Sequence, residues 1–248
     1  MKVSIITATI NAEKNILYNL NSIHSQSYKF IEHLVQDCCS NDHTIKIINN
    51  FSKNNKKNKI LIESVNDNGI YDALNRGIKR STGDIIGILH SDDEFGSSDI
   101  IENIVKIFSS NNQILGIYGN LIYVNSSGKI IRKWISKDFN YKMLKFGWMP
   151  PHPTLFLKKE VFKKFGNYND KYKIAGDYDF IIRIFKQNKN KFSYIPINIT
   201  KMKLGGKSNK LKNLFLKSYE DYKIIKQNKI GGIHTLLLKN LRKIIQFF

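Results

Sequence analysis

Asp92 and Asp93 stand side by side behind the apolar run Asp84–His90. Two adjacent carboxylates repel unless a cation or hydrogen-bond donors lie between them. An oxygen-rich pair suits Mg²⁺ or Mn²⁺ shared with a substrate's phosphates. Such a cation neutralises charge that grows as a diphosphate leaves. The same Ser-Asp-Asp-Glu stretch could instead be a polar turn that caps the next helix. Asp177 and Asp179 lie two apart near a helix start, where the helix dipole favours acids. They could be caps alone, or one could take a proton from an attacking hydroxyl as a general base. His152, in Pro-Pro-His-Pro-Thr, could contact a ligand or be a packed, hydrogen-bonded ring. Asp37 and Asp67 are two further acids, each directly behind an apolar run.

Strands and helices must position these groups. Lys2–Thr7, Ile31–Gln36, Lys59–Val65 and Asp84–His90 are short β-branched runs, read as buried strands. Between them lie helical stripes: Ile16, Leu17, Leu20 and Ile23; then Ile45, Ile47 and Ile48 behind Asp42 as N-cap; then Ile70, Ala73, Leu74, Gly77 and Ile78. Ile100, Ile104, Val105 and Phe108 mark another helix, and residues 114–124 another strand. This alternation predicts an α/β fold with a mainly parallel central sheet. Such sheets bind ligands outside the carboxyl ends of their strands. Asp37, Asp67 and the Asp92–Asp93 pair all fall there. The second half is less regular. A hairpin is expected with its turn at Ser126–Gly128. Residues 147–166 read as a Pro-punctuated loop, a short strand and a helix. The helix that begins at Gly176–Asp177 carries Phe180, Ile181, Ile184 and Phe185 behind its acids. A helical tail is expected from beyond Lys210 to Phe248.

The chain has 248 residues, 40 Lys and Arg against 20 Asp and Glu, and a net charge of +20. That length fits one large domain, with or without an appendage. A charge this high suits nucleic acid, an anionic membrane or a phosphorylated substrate. It also matches the Lys-, Asn- and Ile-rich drift of an AT-rich genome. A nucleic-acid binder would cluster its cations with interleaved aromatics; here they spread along the whole length. Two adjacent cysteines, Cys38 and Cys39, exclude a disulfide scaffold and read as small buried residues in a reducing compartment. There is no Walker loop, no dinucleotide GxGxxG, no HExxH, no GxSxG and no zinc pattern. No stretch approaches the roughly 18 apolar residues of a membrane span. The N-terminus turns polar too soon for a signal peptide, so a cytoplasmic location is expected.

The ordered set of motifs resembles a family 2 glycosyltransferase of the GT-A fold, in particular bacterial enzymes of surface-polysaccharide assembly. Residues 3–16, VSIITATINAEKNI, resemble the family's opening strand and loop, with Ile10–Asn11 where an aromatic–Asn pair is usual. LVQDCCSNDHT resembles its Asp-Gly-Gly-Ser-Thr-Asp segment, with Cys38 and Cys39 in place of the glycines. The longest match is Asn66–Phe95, NDNGIYDALNRGIKRSTGDIIGILHSDDEF. PPHPTLFLKKEVFKKFGNYND and AGDYDFIIRI resemble the acceptor-side region, with Gly176 where many relatives have Glu. LGGKS resembles a late Gly-Gly-Ile-Ser element, with Lys207 for Ile.

The resemblance covers roughly residues 1–208 and implies a division of labour. Residues 1–120 would be a Rossmann-like half that binds the nucleotide sugar, 121–208 the acceptor-side half, and 209–248 the tail. Thr7, Thr9, Asn11, Asp37, Asp67, Asn75 and Asp92 would bind the donor, Asp37 through the base. Asp93 would ligate Mn²⁺ or Mg²⁺. Asp177 would be the catalytic base, with His152 and Asp179 on the acceptor side. The implied reaction is inverting transfer of a sugar from a UDP- or GDP-sugar to a hydroxyl of a glycan or lipid-linked acceptor, in polysaccharide or lipopolysaccharide biosynthesis. The alternatives are a nucleic-acid binding protein and a nucleotide-sugar-binding relative without transfer activity. In the tail, Ile233, Leu237, Leu241, Ile244 and Phe248 fall on one helical face, with Lys239, Arg242 and Lys243 off it. A basic amphipathic helix of this kind is expected to lie on an anionic membrane surface, at the inner face of the cell membrane; packing on the domain or on another subunit is the other reading.

Overall fold

Val3–Thr9 forms β1, buried at every residue. Its β-branched run leaves no polar face for solvent, as a central strand of a parallel sheet requires. The computed structural model describes residues 1–55, 58–125, 127–188, 190–203 and 211–245. Within them the first half follows the predicted alternation: α1 Ile16–His24, β2 Ile31–Asp37, α2 Thr44–Asn54, β3 Lys59–Ser64, α3 Ile70–Arg80 and β4 Ile85–Ile88. Next come β5 Asp93–Phe95, α4 Ile100–Ser110, β6 Gly116–Val124 and β7 Ile130–Trp134. The second half continues with α5 Lys142–Lys145, a 3₁₀ turn at His152–Thr154, β8 Phe156–Lys158, α6 Lys159–Phe165, α7 Gly176–Gln187 and β9 Phe192–Lys203. Two helices follow, α8 Leu211–Gln227 and α9 Ile233–Ile245.

One sheet runs in the order β3-β2-β1-β4-β8-β6-β9-β5, with β7 paired to β6. The β3-β2-β1-β4 portion is parallel, and its register sets Thr9 beside Asp37 and Asp37 beside Ser64. The expected parallel sheet is present here, and β6 and β9 pair in parallel as well. β8 lies antiparallel to β4 and β6, and β5 antiparallel to β9. Residue 120, the expected boundary, falls inside β6.

β9 has no counterpart in the sequence reading. Pro196 interrupts its apolar pattern, and proline within a run argues against a strand. In the fold Pro196 lies where the β6–β9 register slips, between Tyr118–Tyr194 and Asn120–Asn198, so its missing N–H breaks no regular ladder. Smaller differences have simple causes. Leu17 and Ile70 sit at helix edges and are exposed, while the rest of their stripes is buried. Asp42 does not itself occupy the N-cap of α2, but its carboxylate accepts the Thr44 N–H at 2.9 Å. The hairpin forms between β6 and β7, although Ser126 of its turn lies outside the described residues, as do Leu204–Lys210 and Phe248.

Packing covers both sheet faces. Tyr118, Leu157, Phe180, Ile184 and Phe185 join α6 and α7 to one face. Ile5, Ile23, Ile101, Ile104 and Phe108 join α1 and α4 to the other. The tail is docked, not free: Ile224, Ile225 and Ile230 bury against Leu144, Tyr178 and Ile182. Each such side chain contributes about 1.5–3 kcal/mol on burial.

Candidate active site

The parallel strands β1, β2, β3 and β4 end at one edge of the sheet, where β1 has β2 and β4 as its neighbours. Asp37 closes β2. It accepts the Ser40 N–H at 2.9 Å, the Ser40 hydroxyl, and the Ser64 hydroxyl at 2.6 Å. Only 1% of it is exposed. Its carboxylate holds the Cys38–Ser40 loop in shape. Cys39 keeps a left-handed φ of +46°, the backbone a glycine would adopt, despite its side chain. Neither cysteine is buried as expected; Cys39 is exposed and Cys38 intermediate. Asn11, φ +49°, accepts the Asn41 N–H at 3.0 Å and joins the same rim. Asp67 accepts the Gly69 N–H at 2.9 Å in the loop before α3. Thr9 ends β1 with its buried hydroxyl unpartnered among the described residues.

Three other expected site residues have partners within the protein. Thr7 is fully buried, and its hydroxyl donates to the Leu89 carbonyl at 2.8 Å beside His33 Nε2 at 2.9 Å. The Asn75 amide donates to the Tyr168 carbonyl at 2.9 Å and accepts the Tyr168 N–H at 3.0 Å, so it clamps that loop to α3. Asp179 is paired with Arg183 at 2.9 Å, and Arg183 also donates to the Phe165 and Asn167 carbonyls. Each of the three makes hydrogen bonds within the protein.

The acid pair follows β4. Asp92 is partly exposed, whereas Asp93 opens β5 fully buried, with both carboxylate oxygens unpartnered among the described residues. Burial, then the charges of Asp92 and Glu94, push the Asp93 carboxyl well above its ordinary range. An unpaired buried carboxylate is costly. A divalent cation would reverse that, and an oxygen-only donor set suits Mg²⁺ or Mn²⁺. Asp93, with Asp92 beside it, thus fits such an ion. No cluster of three or more ligating side chains exists among the described residues, so further oxygens would come from diphosphate and water.

Asp177 stands in the first turn of α7, its side chain 19% exposed. Its Oδ2 lies 3.1 Å from His152 Nδ1, and its Oδ1 3.4 Å from the Tyr71 hydroxyl. Burial acts to raise the Asp177 pKa, but the His152 ring and the charges of Lys217 and Lys239 outweigh it and hold the carboxyl well below its usual value. Tyr71 donates to the Ile174 carbonyl at 2.6 Å. A Cβ on Gly176 would meet the Tyr71 ring at 2.8 Å, so the glycine here makes room for the tyrosine.

His90 connects the two sides. It lies two residues before Asp92, and its Nε2 is 3.4 Å from His152 Nε2. Burial and then the neighbouring His152 push its pKa down to about 3, so it stays neutral at physiological pH. Asn19, on the buried stripe of α1, donates to the carbonyls of His90 at 2.8 Å and Asp93 at 3.3 Å and braces the acid-bearing turn. The sequence reading missed His90, Asn19 and Tyr71. The signals were present: a histidine between an apolar strand and two acids, and an asparagine among Ile16, Leu20 and Ile23.

The tail contributes to this region too. Lys239, expected off the apolar face of a free helix, is buried, with Nζ 2.5 Å from Asp221 and 4.0 Å above the Tyr178 ring. Arg242 donates to the Phe146 carbonyl at 3.0 Å. The polar side of α9 thus packs on the domain, while Ile233, Leu237 and Leu241 remain exposed. The Ile244 side chain and Phe248 lie outside the described residues.

A family model described as "Glycosyl transferase family 2" matches residues 4–166. A PGL/p-HBAD biosynthesis glycosyltransferase of Mycobacterium bovis is 28% identical over 207 residues, 83% of this chain and 78% of that one. An uncharacterized glycosyltransferase of Haemophilus influenzae is 29% identical over 238 residues, 94% of this chain and 92% of that one. Among solved structures, S. aureus TarS 1-349 in complex with UDP-GlcNAc superposes with a TM-score of 0.68 at 18% identity, covering 92% of this chain and 65% of that one. Mannosyltransferase PcManGT from Pyrobaculum calidifontis, in complex with GDP-Man and Mn²⁺, gives 0.70 at 16% identity, covering 91% and 63%. The chain thus spans just under two thirds of the length of these solved neighbours, whose likeness establishes the GT-A fold.

Proposed function

Since the chain belongs to glycosyl transferase family 2 and is a glycosyltransferase, we propose that it moves a sugar from a UDP- or GDP-sugar to an acceptor hydroxyl with inversion. The observation that carries this reading is the ionised Asp177, held between His152 and Tyr71 and linked through His90 to the turn that bears Asp92 and Asp93. Asn11, Asp67 and Asp92 would face the donor at the strand ends, and Asp37 would fix the rim on which the base rests. Thr9 would close that rim from β1.

Asp177 would accept the proton of the acceptor hydroxyl as its oxygen attacks the anomeric carbon. The nucleoside diphosphate leaves from the opposite face, through a transition state with oxocarbenium character. His152 orients the carboxylate by holding Oδ2, which leaves Oδ1, beside the Tyr71 hydroxyl that donates to Ile174, for the acceptor hydroxyl. Asp93, with Asp92, would hold Mn²⁺ or Mg²⁺. That ion, when bound, neutralises charge on the departing diphosphate. Positioning of the two substrates supplies much of the remaining effect.

The solved neighbours include complexes with UDP-GlcNAc and with GDP-Man, which supports both nucleotide classes as candidates. A thermal-shift panel of UDP- and GDP-sugars, with and without Mn²⁺, tests the reading. A ligand at one hundred times its Kd stabilises by about 2.7 kcal/mol. Stabilisation by one nucleotide class, stronger with Mn²⁺, is the expected result; no stabilisation by any of them sinks the proposal.

The acceptor would be a glycan or a lipid-linked glycan of surface polysaccharide or lipopolysaccharide synthesis, met at an anionic membrane surface. No helix among the described residues is long and apolar enough to cross a membrane. The support lies on the outer side of α9, where Ile233, Leu237 and Leu241 recur every fourth residue and are 65%, 58% and 53% exposed. The acids of residues 209–248 are Glu220 and Asp221, both buried, so the outer surface of the tail is apolar and cationic. That is the chemistry that binds anionic lipid. The triple variant I233S/L237S/L241S is expected to bind phosphatidylglycerol vesicles at least tenfold more weakly than the unaltered chain. Equal flotation of both would remove the membrane from the proposal.

A further inference from the structure

The three backbone N–H groups just before α7 are bound by one side chain of the tail. Glu220, in the middle of α8, is 5% exposed. Its Oε1 accepts the Lys173 N–H at 2.7 Å, and its Oε2 accepts those of Ile174 at 3.0 Å and Ala175 at 2.8 Å. Ala175 is the N-cap of α7, and Asp177 follows two residues later. From its other side the same segment is held by Tyr71, which donates to the Ile174 carbonyl at 2.6 Å. The turn that presents Asp177 is therefore gripped between α3 and the tail. A carboxylate at this place also suits the N-terminal end of the helix dipole.

We propose that Glu220 is a positioning residue for the transfer reaction, fixing the Lys173–Ala175 turn so that Asp177 meets the acceptor hydroxyl. The inference rests on the reading of Asp177 as the base. It makes the tail part of the active site as well as a lipid-facing appendage. Two features favour a built contact over incidental packing. The tail carries many lysines and two acids, and both acids are turned inward onto this region. The second, Asp221, draws Lys239 of α9 beneath Tyr178, the residue after Asp177. Base catalysis is sensitive to such placement, since a displacement of about 1 Å can slow a reaction roughly a hundredfold.

The test uses the full chain with Glu220→Gln. Glutamine keeps the size but has one acceptor oxygen, and its NH₂ faces an N–H it cannot bind. Turnover is read as nucleoside diphosphate released from the nucleotide sugar that stabilises the unaltered protein, and binding with UDP and GDP in the presence of Mn²⁺. Glu220→Gln is expected to lower kcat tenfold or more, leave nucleotide Kd and donor KM within twofold, and speed amide exchange at Lys173–Ala175. Tyr172→Phe is the control. It removes the 2.8 Å bond from the Tyr172 hydroxyl to Gln227 of α8 without touching those amides. It is expected to keep kcat. Equal losses in both variants, or an unchanged kcat in Glu220→Gln while Asp177→Asn is inactive, would overturn the inference. Undiminished turnover in Asp177→Asn would instead overturn the base assignment. Amide exchange in the unaltered chain provides a test that needs no variant to fold. Residues 173–175 lie outside any helix or strand, yet should be protected as well as the interior of α7; rapid exchange there rejects the clamp.

Discussion

Asp177→Asn should bind nucleotide as the unaltered chain does and lose transfer by about two to four decades, the range that general base catalysis supplies. Asparagine preserves the shape of the side chain and can still meet His152, but it cannot take up a proton. Nucleotide binding should be unchanged within twofold, because the base stands on α7, a different element from the strand-end loops that carry Asp37, Asp67 and Asp92. A stability signature should accompany the loss. The folded protein holds Asp177 ionised against its burial, through His152 and the charges of Lys217 and Lys239. A carboxyl whose folded pKa is depressed stabilises above its unfolded value, about 3.9, and loses that contribution as pH falls toward the folded one. The variant should thus melt below the unaltered chain at pH 7, with the gap closing below about pH 4. Turnover near normal in Asp177→Asn would exclude Asp177 as the base.

The place of Asp177 in the first turn of an apolar helix was legible in the sequence, because that pattern is local; its role as base came from the family resemblance. The parallel strands were legible for the same reason: their period and punctuation lie within ten residues. What could not be read was which polar atom each candidate would meet. Thr7 resembles a strand-end ligand by position, yet the carbonyl of Leu89, 82 residues away, accepts its hydrogen bond. Asn75 lies on the same helix as Tyr71, but its amide is matched by the backbone of Tyr168, 93 residues away. Hydrogen-bond partners are set by the tertiary fold, so residue type alone does not name them. β9 escaped for a related reason. Pro196 is tolerated there because the neighbouring strand slips its register, which no local pattern announces.

The tail shows the same limit from the other side. Helical periodicity correctly grouped Ile233, Leu237 and Leu241, and all three are exposed. It also grouped Lys239 with solvent-facing cations. In the fold that lysine is desolvated, and although Asp221 opposes the shift, burial leaves its pKa below the usual lysine range. An amphipathic pattern states that a helix has two faces and leaves open which of them the protein covers. Here the domain and α8 cover the polar face, through Thr235, Lys239 and Arg242.

Asp93→Asn should produce effects of opposite sign on stability and on function. Asp93 is fully buried with both oxygens unpartnered, and burial together with Asp92 and Glu94 raises its pKa well above the ordinary value. A raised carboxyl pKa means that the folded state loses stability as pH climbs above the unfolded value, about 3.9, until the folded value is passed. The neutral asparagine does not ionise. Without metal, the variant should therefore melt above the unaltered chain at pH 7 to 8, with the difference vanishing near pH 4. Adding Mn²⁺ with UDP or GDP should reverse the order. The unaltered chain gains about 2.7 kcal/mol at one hundred times Kd, or roughly 5–10 °C for a chain of this size. The variant should gain little, and its transfer rate should fall by about two decades or more, since the cation is worth several kcal/mol to the leaving diphosphate. Melting curves with and without Mn²⁺ and nucleotide decide the matter. A variant that still gains the metal-dependent stabilisation would reject Asp93 as the ligand. A variant that loses that gain and also melts lower without metal would show that the side chain serves the fold. Only a site kept at the expense of the empty protein's stability gives the two opposite shifts, because a buried, unpaired carboxylate has no structural use until a cation meets it.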